Sequence, residues 1–252
     1  VIHMVKGSCM KHTLERKSLT CVCISDTHGL HAELPVLPKG DVLIHAGDCL
    51  GTGSVRSLES FAEGFESQPH THKILVAGNH DLALQNHPEL IPKLLPTTHY
   101  LQDHGVEIEG VKFWGSPWTP RFHSGAFMLD RGWALEERWS LIPDDTDVLV
   151  THGPPHLTGD LAIDGTVHVN VGCEALLDRT RDLPMQVHVF GHIHEGYGLY
   201  QRGAQRLINA CSCTEYYEPT NHAVVFTLDT MNRSGNLFST GSRPRQPPYS
   251  FG

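Results

Sequence analysis

Five short apolar segments, each closed by residues able to bind a metal, constrain this chain more than any other feature. They read LTCVCIS before Asp26-Thr27-His28, DVLIHAG before Asp48, KILVAG before Asn79-His80-Asp81, DVLVT before His152, and VHVFG before His192-Ile193-His194. Near-continuous apolar runs of this length, bounded by Gly, are the form expected of strands buried on both faces. Between the second and third runs, Leu58, Phe61, Ala62 and Phe65 recur at helical spacing and predict a helix over 54–68, with Ser54 placed to cap it. Strands alternating with helix argue for an α/β fold. In such folds ligands bind beyond the carboxyl ends of the strands, and all five clusters sit at such ends.

The rest of the pattern fits one domain. Helices are predicted over 133–141 and 172–182, and a hairpin joins 106–108 to 111–114 through Glu109-Gly110. Closing strands are expected over 207–210 and 223–228. The clusters span positions 26 to 194, and ligands so far apart must meet, so 18–229 is taken as a single domain. Residues 1–17 are polar and patternless, and 230–252 are rich in Ser, Gly, Arg and Pro and read as a solvated tail.

Acidic residues exceed basic ones by 28 to 19, a formal charge of −9. That is the wrong sign for extended nucleic acid, whose affinity rests on Lys and Arg meeting phosphates. Bound metal can still attract a small anionic ester locally. No run approaches a membrane span and no secretory leader is visible, so a cytoplasmic protein is expected. Seven cysteines are present. The pairs Cys21/Cys23 and Cys211/Cys213 read as buried thiols on strand faces, which suits a reducing compartment.

Taken one at a time, each motif is weak. A His after a strand more often hydrogen-bonds within a core or loop, and nineteen histidines make chance matches easy. Five clusters in order, each at a strand end and beside Gly, are hard to reach by chance. Imidazole nitrogen with carboxylate oxygen suits Mn, Fe or Zn better than Ca or Mg. With no cysteine in the clusters, a structural zinc site is disfavoured.

Asp26-x-His28, Gly47-Asp48, Gly78-Asn79-His80-Asp81, Thr151-His152-Gly153 and Gly191-His192-x-His194 together resemble the calcineurin-like metallophosphoesterase superfamily. The resemblance implies that superfamily's sandwich of two mixed β-sheets flanked by helices. It also implies two divalent ions, Mn first, with Fe and Zn as alternatives. Asp26, His28 and His194 would hold one ion, Asn79, His152 and His192 the other, and Asp48 would bridge them. The stretches DTHGLHAELP, FWGSPWTP and GHIHEGYG are most similar to the MPPED group of small metallophosphoesterase-domain proteins, which cleave phosphodiesters. The Asp-Arg pair that follows the bridging aspartate's motif in the protein Ser/Thr phosphatases is missing after Asp48, which speaks against phosphoprotein substrates.

The expected chemistry is hydrolysis of small phosphodiesters, such as 2′,3′-cyclic nucleotides or aryl diesters. Two metal ions would acidify a water bridging them and clamp phosphate oxygens. His80 falls outside the ligand set and is expected to face the phosphate as general acid or charge stabiliser; the alternative is a structural His paired with Asp81. Trp118, Phe122 and His123 are expected to form an aromatic wall, with simple packing as the alternative. His31, His45, His156, His168 and His188 are left as structural or supporting. Competing readings are a phosphomonoesterase and a non-catalytic metal-binding scaffold.

Overall fold

Cys21 and Cys23 point to one side of a strand while Val22 and Ile24 point to the other, and both sides are buried. This two-faced burial is the structural form of the apolar runs. A computed structural model describes residues 18–164, 166–229 and 236–237. The expectations for 1–17 and for the tail therefore lie outside the described residues, apart from 236–237.

In chain order the strands are β1 (Ser18–Ile24), β2 (Val42–Ala46), β3 (His72–Val76), β4 (Thr98–Tyr100), β5 (His104–Ile108), β6 (Val111–Ser116), β7 (Thr119–Pro120) and β8 (Met128–Leu129). There follow β9 (Val148–Thr151), β10 (Leu161–Asp164), β11 (Val167–Asn170), β12 (Val187–Phe190), β13 (Gly198–Arg202), β14 (Gln205–Asn209), β15 (Val224–Asp229) and β16 (Asn236–Leu237). The helices are α1 (Val55–Glu66), α2 (Leu82–Asn86), α3 (Ile91–Leu94), α4 (Trp133–Ser140) and α5 (Glu174–Thr180).

Two six-stranded sheets form, in the orders β16-β15-β1-β2-β3-β4 and β13-β14-β12-β9-β6-β5. Their central strands run parallel, while β15 and β16 at one side of the first sheet and the edge strands β13 and β5 of the second are antiparallel to their neighbours. Ile44, Ile74 and Val76 of the first sheet meet Phe113, Val150 and Val189 of the second in one core. On the far side of the first sheet, Leu58, Phe61, Ala62 and Phe65 of α1 cover Val22, Leu43 and Leu75. On the far side of the second, Leu135 and Trp139 of α4 and Leu176 of α5 cover Leu149. The result is the expected sandwich of two mixed sheets between helices.

Local signals in the sequence explain several boundaries. Ser54 caps α1 by accepting from the Ser57 N–H at 3.2 Å, filling one of the donors a helix start leaves open. Glu109 and Gly110 both have positive φ, 49° and 81°, the pattern of the two-residue turn whose twist matches a hairpin. The short helices α2 and α3, strands β4, β7, β8 and β13, the β10–β11 ribbon and the edge strand β16 were not foreseen from the sequence. One expectation needs correction. Cys21 and Cys23 share a strand face, but Cys211 and Cys213 lie beyond the end of β14, in a loop that is nevertheless buried. Asn236–Leu237 pairs with Phe226 and Thr227 as an edge strand.

Candidate metal centre

The five clusters converge because five parallel strands end on the same side of the sandwich. The loops after β1 and β2 run together: Asp26 N–H donates to Gly47 O at 2.8 Å and His28 N–H to Asp48 O at 3.0 Å. The loops after β9 and β12 are joined in the same way, Gly191 N–H donating to His152 O at 2.8 Å. Two bonds then cross between the sheets. His192 N–H donates to Asp26 Oδ2 at 2.9 Å, and His152 Nδ1 donates to Ala46 O at 2.9 Å.

Packing this tight demands unusual backbone. Asp26, His28, Asp48 and His192 all have positive φ, between 45° and 71°. Non-glycine residues seldom adopt this region, and where they do so in a cluster, function is the usual reason. The neighbouring glycines are needed for close approach. A Cβ on Gly78 would lie 2.2 Å from Asp48 Oδ1, and one on Gly191 would lie 2.0 Å from Asp26 Oδ2.

Two groups of donor atoms result, with Asp48 common to both. On one side, His28 Nε2 lies 3.1 Å from His194 Nε2 and 4.0 Å from Asp48 Oδ2, while His194 Nε2 is 3.4 Å from Asp26 Oδ1. On the other, His152 Nε2 lies 3.3 Å from Asp48 Oδ2 and 3.0 Å from Asn79 Oδ1, with the His192 ring 4.9 Å from that of His152. Each carboxylate turns one oxygen to the imidazoles and has its other held more firmly, although Asp26 Oδ1 also accepts from His192 N–H at 3.1 Å. Asp26 Oδ2 accepts from Ser25 Oγ at 2.5 Å, from Cys211 Sγ at 3.1 Å and from His192 N–H. Asp48 Oδ1 accepts from His80 N–H at 2.7 Å.

A family model described as calcineurin-like phosphoesterase matches residues 19–196, well over half of the chain. The chain belongs to the calcineurin-like phosphoesterase family. Metallophosphoesterase domain-containing protein 1 of Homo sapiens is 39% identical over 237 residues, covering 84% of this chain and 72% of the human protein. The Mus musculus protein of the same description matches with the same figures. Among solved structures, TT1561 of Thermus thermophilus shares the fold, with a TM-score of 0.57 and 13% identity over 88% of this chain and 99% of that one.

As a member of that family the protein is a metal-dependent phosphoester hydrolase, and the family uses divalent metals in a dinuclear site. The donor set fits such ions. His152 and His194 commit their Nδ1 protons to the carbonyls of Ala46 and Thr214, the latter at 2.8 Å, so each turns Nε2 toward the carboxylates. A carbonyl behind an imidazole fixes tautomer and ring orientation for a metal. His45 supports the same loops from beneath, its Nδ1 accepting from Gly47 N–H at 3.3 Å and its Nε2 lying 3.0 Å from Thr27 Oγ1.

The electrostatics point the same way. Burial pushes the Asp26 carboxyl up, but the hydrogen bond with His194 and the charges of His152, His194 and His28 hold it well below the usual range. Asp48 is likewise lowered, burial being outweighed by His152. Burial would lower His152 and His194, yet Asp48 raises the first to about 9 and Asp26 the second to about 9. Burial takes His28 and His192 down to about 4. The carboxylates thus call for positive charge between them, met by protons on two imidazoles or by cations that displace them.

Asp26 and His152 are fully buried beneath the centre. The other five predicted ligands and His80 line a cleft of about 200 Å³ above it. His80 does not pair with Asp81. Its ring is 40% exposed with Nε2 3.9 Å from Asp48 Oδ2. Asp81 instead accepts from Gly78 N–H at 2.7 Å and Leu50 N–H at 2.9 Å, tying the loop of Asn79 to that of Asp48.

The predicted aromatic wall is split. Phe122 lines the cleft, 5.6 Å from the His192 ring, and His123 packs on the outside of Phe122. Trp118 does not line it. Its Nε1 donates to Asp103 Oδ2 at 2.8 Å and its ring rests against Phe127, because satisfying the indole N–H draws it into the packing. Other residues of the site were not expected from the sequence. Glu195, Glu215 and Tyr217 line the cleft, and Cys211, read from the sequence as a buried thiol on a strand face, touches Asp26. Glu195 adjoins a motif already noticed; the others carry no pattern that marks them.

Proposed function

We propose that this chain is a phosphodiesterase for small diesters, such as 2′,3′-cyclic nucleotides or aryl phosphodiesters, with Mn²⁺ as its metal. Asp26, His28 and His194 would hold one ion and Asn79, His152 and His192 the other, with Asp48 between them. The observation that carries this reading is the placement of Asp48 Oδ2 within 3.3 Å of His152 Nε2 and 4.0 Å of His28 Nε2, one oxygen serving both donor groups. Two divalent ions there supply an acidified water and neutralise charge on the phosphoryl oxygens.

The protein's own groups complete the chemistry. His80 stands at the mouth of the cleft with its backbone N–H anchored on Asp48, placed to give a proton to the leaving oxygen. The preference for diesters is supported by the rim. Glu195 and Glu215 line the same cleft, and two carboxylates there disfavour the second negative charge of a monoester more than the single charge of a diester. The runner-up is a phosphomonoesterase.

A small ester as the working partner fits a cleft of this size and a chain of charge −9. All six described cysteines are free and buried, in keeping with a cytoplasmic setting, and among the described residues no helix is long and apolar enough to cross a membrane. The deciding experiment measures kcat/KM of Mn-loaded protein on bis(4-nitrophenyl) phosphate and 4-nitrophenyl phosphate, then on a panel of cyclic nucleotides. A preference for the monoester would transfer the function to the runner-up.

A further inference from the structure

Tyr217 sits in the cleft by a costly route. Its φ is 59°, a conformation bulky side chains seldom adopt, and it leaves half of the residue exposed. A structural tyrosine would relax into the core. This one is held out by a tight turn in which Thr214 N–H donates to Glu218 O and Tyr217 N–H donates to Thr214 O, both at 2.9 Å. The same Thr214 carbonyl accepts from His194 Nδ1 at 2.8 Å, so the turn that presents Tyr217 is anchored on a candidate metal ligand.

The ring lies edge-on to both imidazoles on its side of the centre, 4.8 Å from His28 and 5.3 Å from His194. Phe122 takes the corresponding place beside His192, on the other donor group. Two exposed aromatic rings thus flank the position where the phosphate would sit. Tyr217 also lies beyond residues 19–196, outside the stretch that matches the family model.

We propose that Tyr217 is a specificity-determining residue, giving a stacking face to a planar substituent of the ester, an aryl group or a nucleobase. This rests on the diesterase reading above. Stacking on an aromatic side chain tolerates any π-face and contributes enough binding to change affinity by about tenfold or more.

The test compares two diesters with one leaving group, bis(4-nitrophenyl) phosphate and methyl 4-nitrophenyl phosphate, whose retained groups are a planar aryl and a methyl; their difference in intrinsic reactivity cancels when each variant is divided by wild type. Tyr217→Asn removes the ring while suiting the positive φ; Tyr217→Phe keeps the ring. Wild type should favour the bis-aryl ester in kcat/KM. Tyr217→Asn should cut that preference about tenfold, mainly through KM, with bound Mn unchanged by elemental analysis, and Tyr217→Phe should retain it. An unchanged preference in Tyr217→Asn, or an equal loss in Tyr217→Phe, overturns the proposal. So does loss of bound Mn in Tyr217→Asn, which would make the residue a support for His28 and His194. If wild type turns over neither diester, the diesterase reading alone fails. Calorimetric binding of the non-hydrolysable phenylphosphonate against methylphosphonate to Mn-loaded wild type and variants then decides on Tyr217 by the same ratio.

Discussion

Asp48 Oδ2 and His152 Nε2 stand 3.3 Å apart, while the second oxygen of the same carboxylate is occupied by the His80 N–H at 2.7 Å. The pair joins the two sheets, since Asp48 follows β2 of one and His152 follows β9 of the other. The carboxylate is therefore held rigidly with one oxygen free for the centre.

Asp48→Asn should accordingly hurt more than His192→Ala. The amide cannot supply the negative charge both donor groups share, whereas His192 serves one group only. A loss of at least about 10²-fold in kcat/KM, or about 2.7 kcal/mol, is expected for Asp48→Asn. Both metals bound with near-normal turnover in that variant would remove Asp48 from its bridging place.

Chelation should abolish hydrolysis and Mn²⁺ should restore it, with about two ions bound per chain. Metal binding should also raise the melting temperature, because an ion held by the folded chain and not by the unfolded one stabilises the fold by mass action. Full activity in a preparation shown metal-free by elemental analysis would sink the metal-centre reading.

His80→Ala should keep its metals and lose turnover. The loss should be largest, within the usual 10²–10⁴-fold range for a proton-transfer role, for poor leaving groups such as a ribose alkoxide. It should shrink for nitrophenolate, which departs without a proton. Equal losses on both kinds of ester would leave His80 with an electrostatic role only.

Gly191→Ala should disable the centre without touching a ligand. The added Cβ would meet Asp26 Oδ2 at 2.0 Å, too close for any real contact, so the carboxylate must move. Lower Mn²⁺ affinity in titration calorimetry is the expected result. Wild-type affinity would show that the loop yields elsewhere.

Acid should destabilise the fold in part through His188, away from the cleft. It is fully buried in β12, with Nε2 2.8 Å from Thr151 Oγ1 and no hydrogen-bond partner on Nδ1 among the described residues. Burial, aided by the charge of Arg202, takes it down to about 3. The unfolded chain binds this proton near pH 6.5 and the folded chain does not. Stability is thus fully present above 6.5 and is lost as pH falls from there toward 3. Between pH 7 and 5 this one group should cost about 2 kcal/mol. Urea melts of His188→Gln should show a pH-dependent loss smaller by about that amount; identical slopes would falsify the assignment.

Much of the fold and most of the centre's composition were legible in the sequence because the signals are local. Apolar runs of strand length declare burial on both faces, Ser54 declares a helix start, and Glu109-Gly110 declares a hairpin. A Gly beside each metal-binding cluster declares that backbone must approach a side chain, as Gly78 approaches Asp48. The limit lay where placement depends on distant partners. Which strands share a sheet is set by packing between the two inner faces, and a run such as VHVF reads the same in either sheet. Trp118 left the expected wall because Asp103 offered its indole a partner. Cys211 reached Asp26 because the chain beyond β14 crosses to the end of β1, with Ser212 N–H donating to Ser25 O at 2.7 Å. Tyr217 entered the cleft because Thr214 is bound to His194, twenty residues earlier. The sequence by itself determined the strands, the glycines and the kinds of donor atom, since each follows from a residue and its near neighbours. Only the tertiary structure decided which oxygen of each carboxylate turns to the imidazoles, which rings line the cleft and what stands behind each candidate ligand. Those depend on hydrogen bonds and contacts between segments that have no spacing in common.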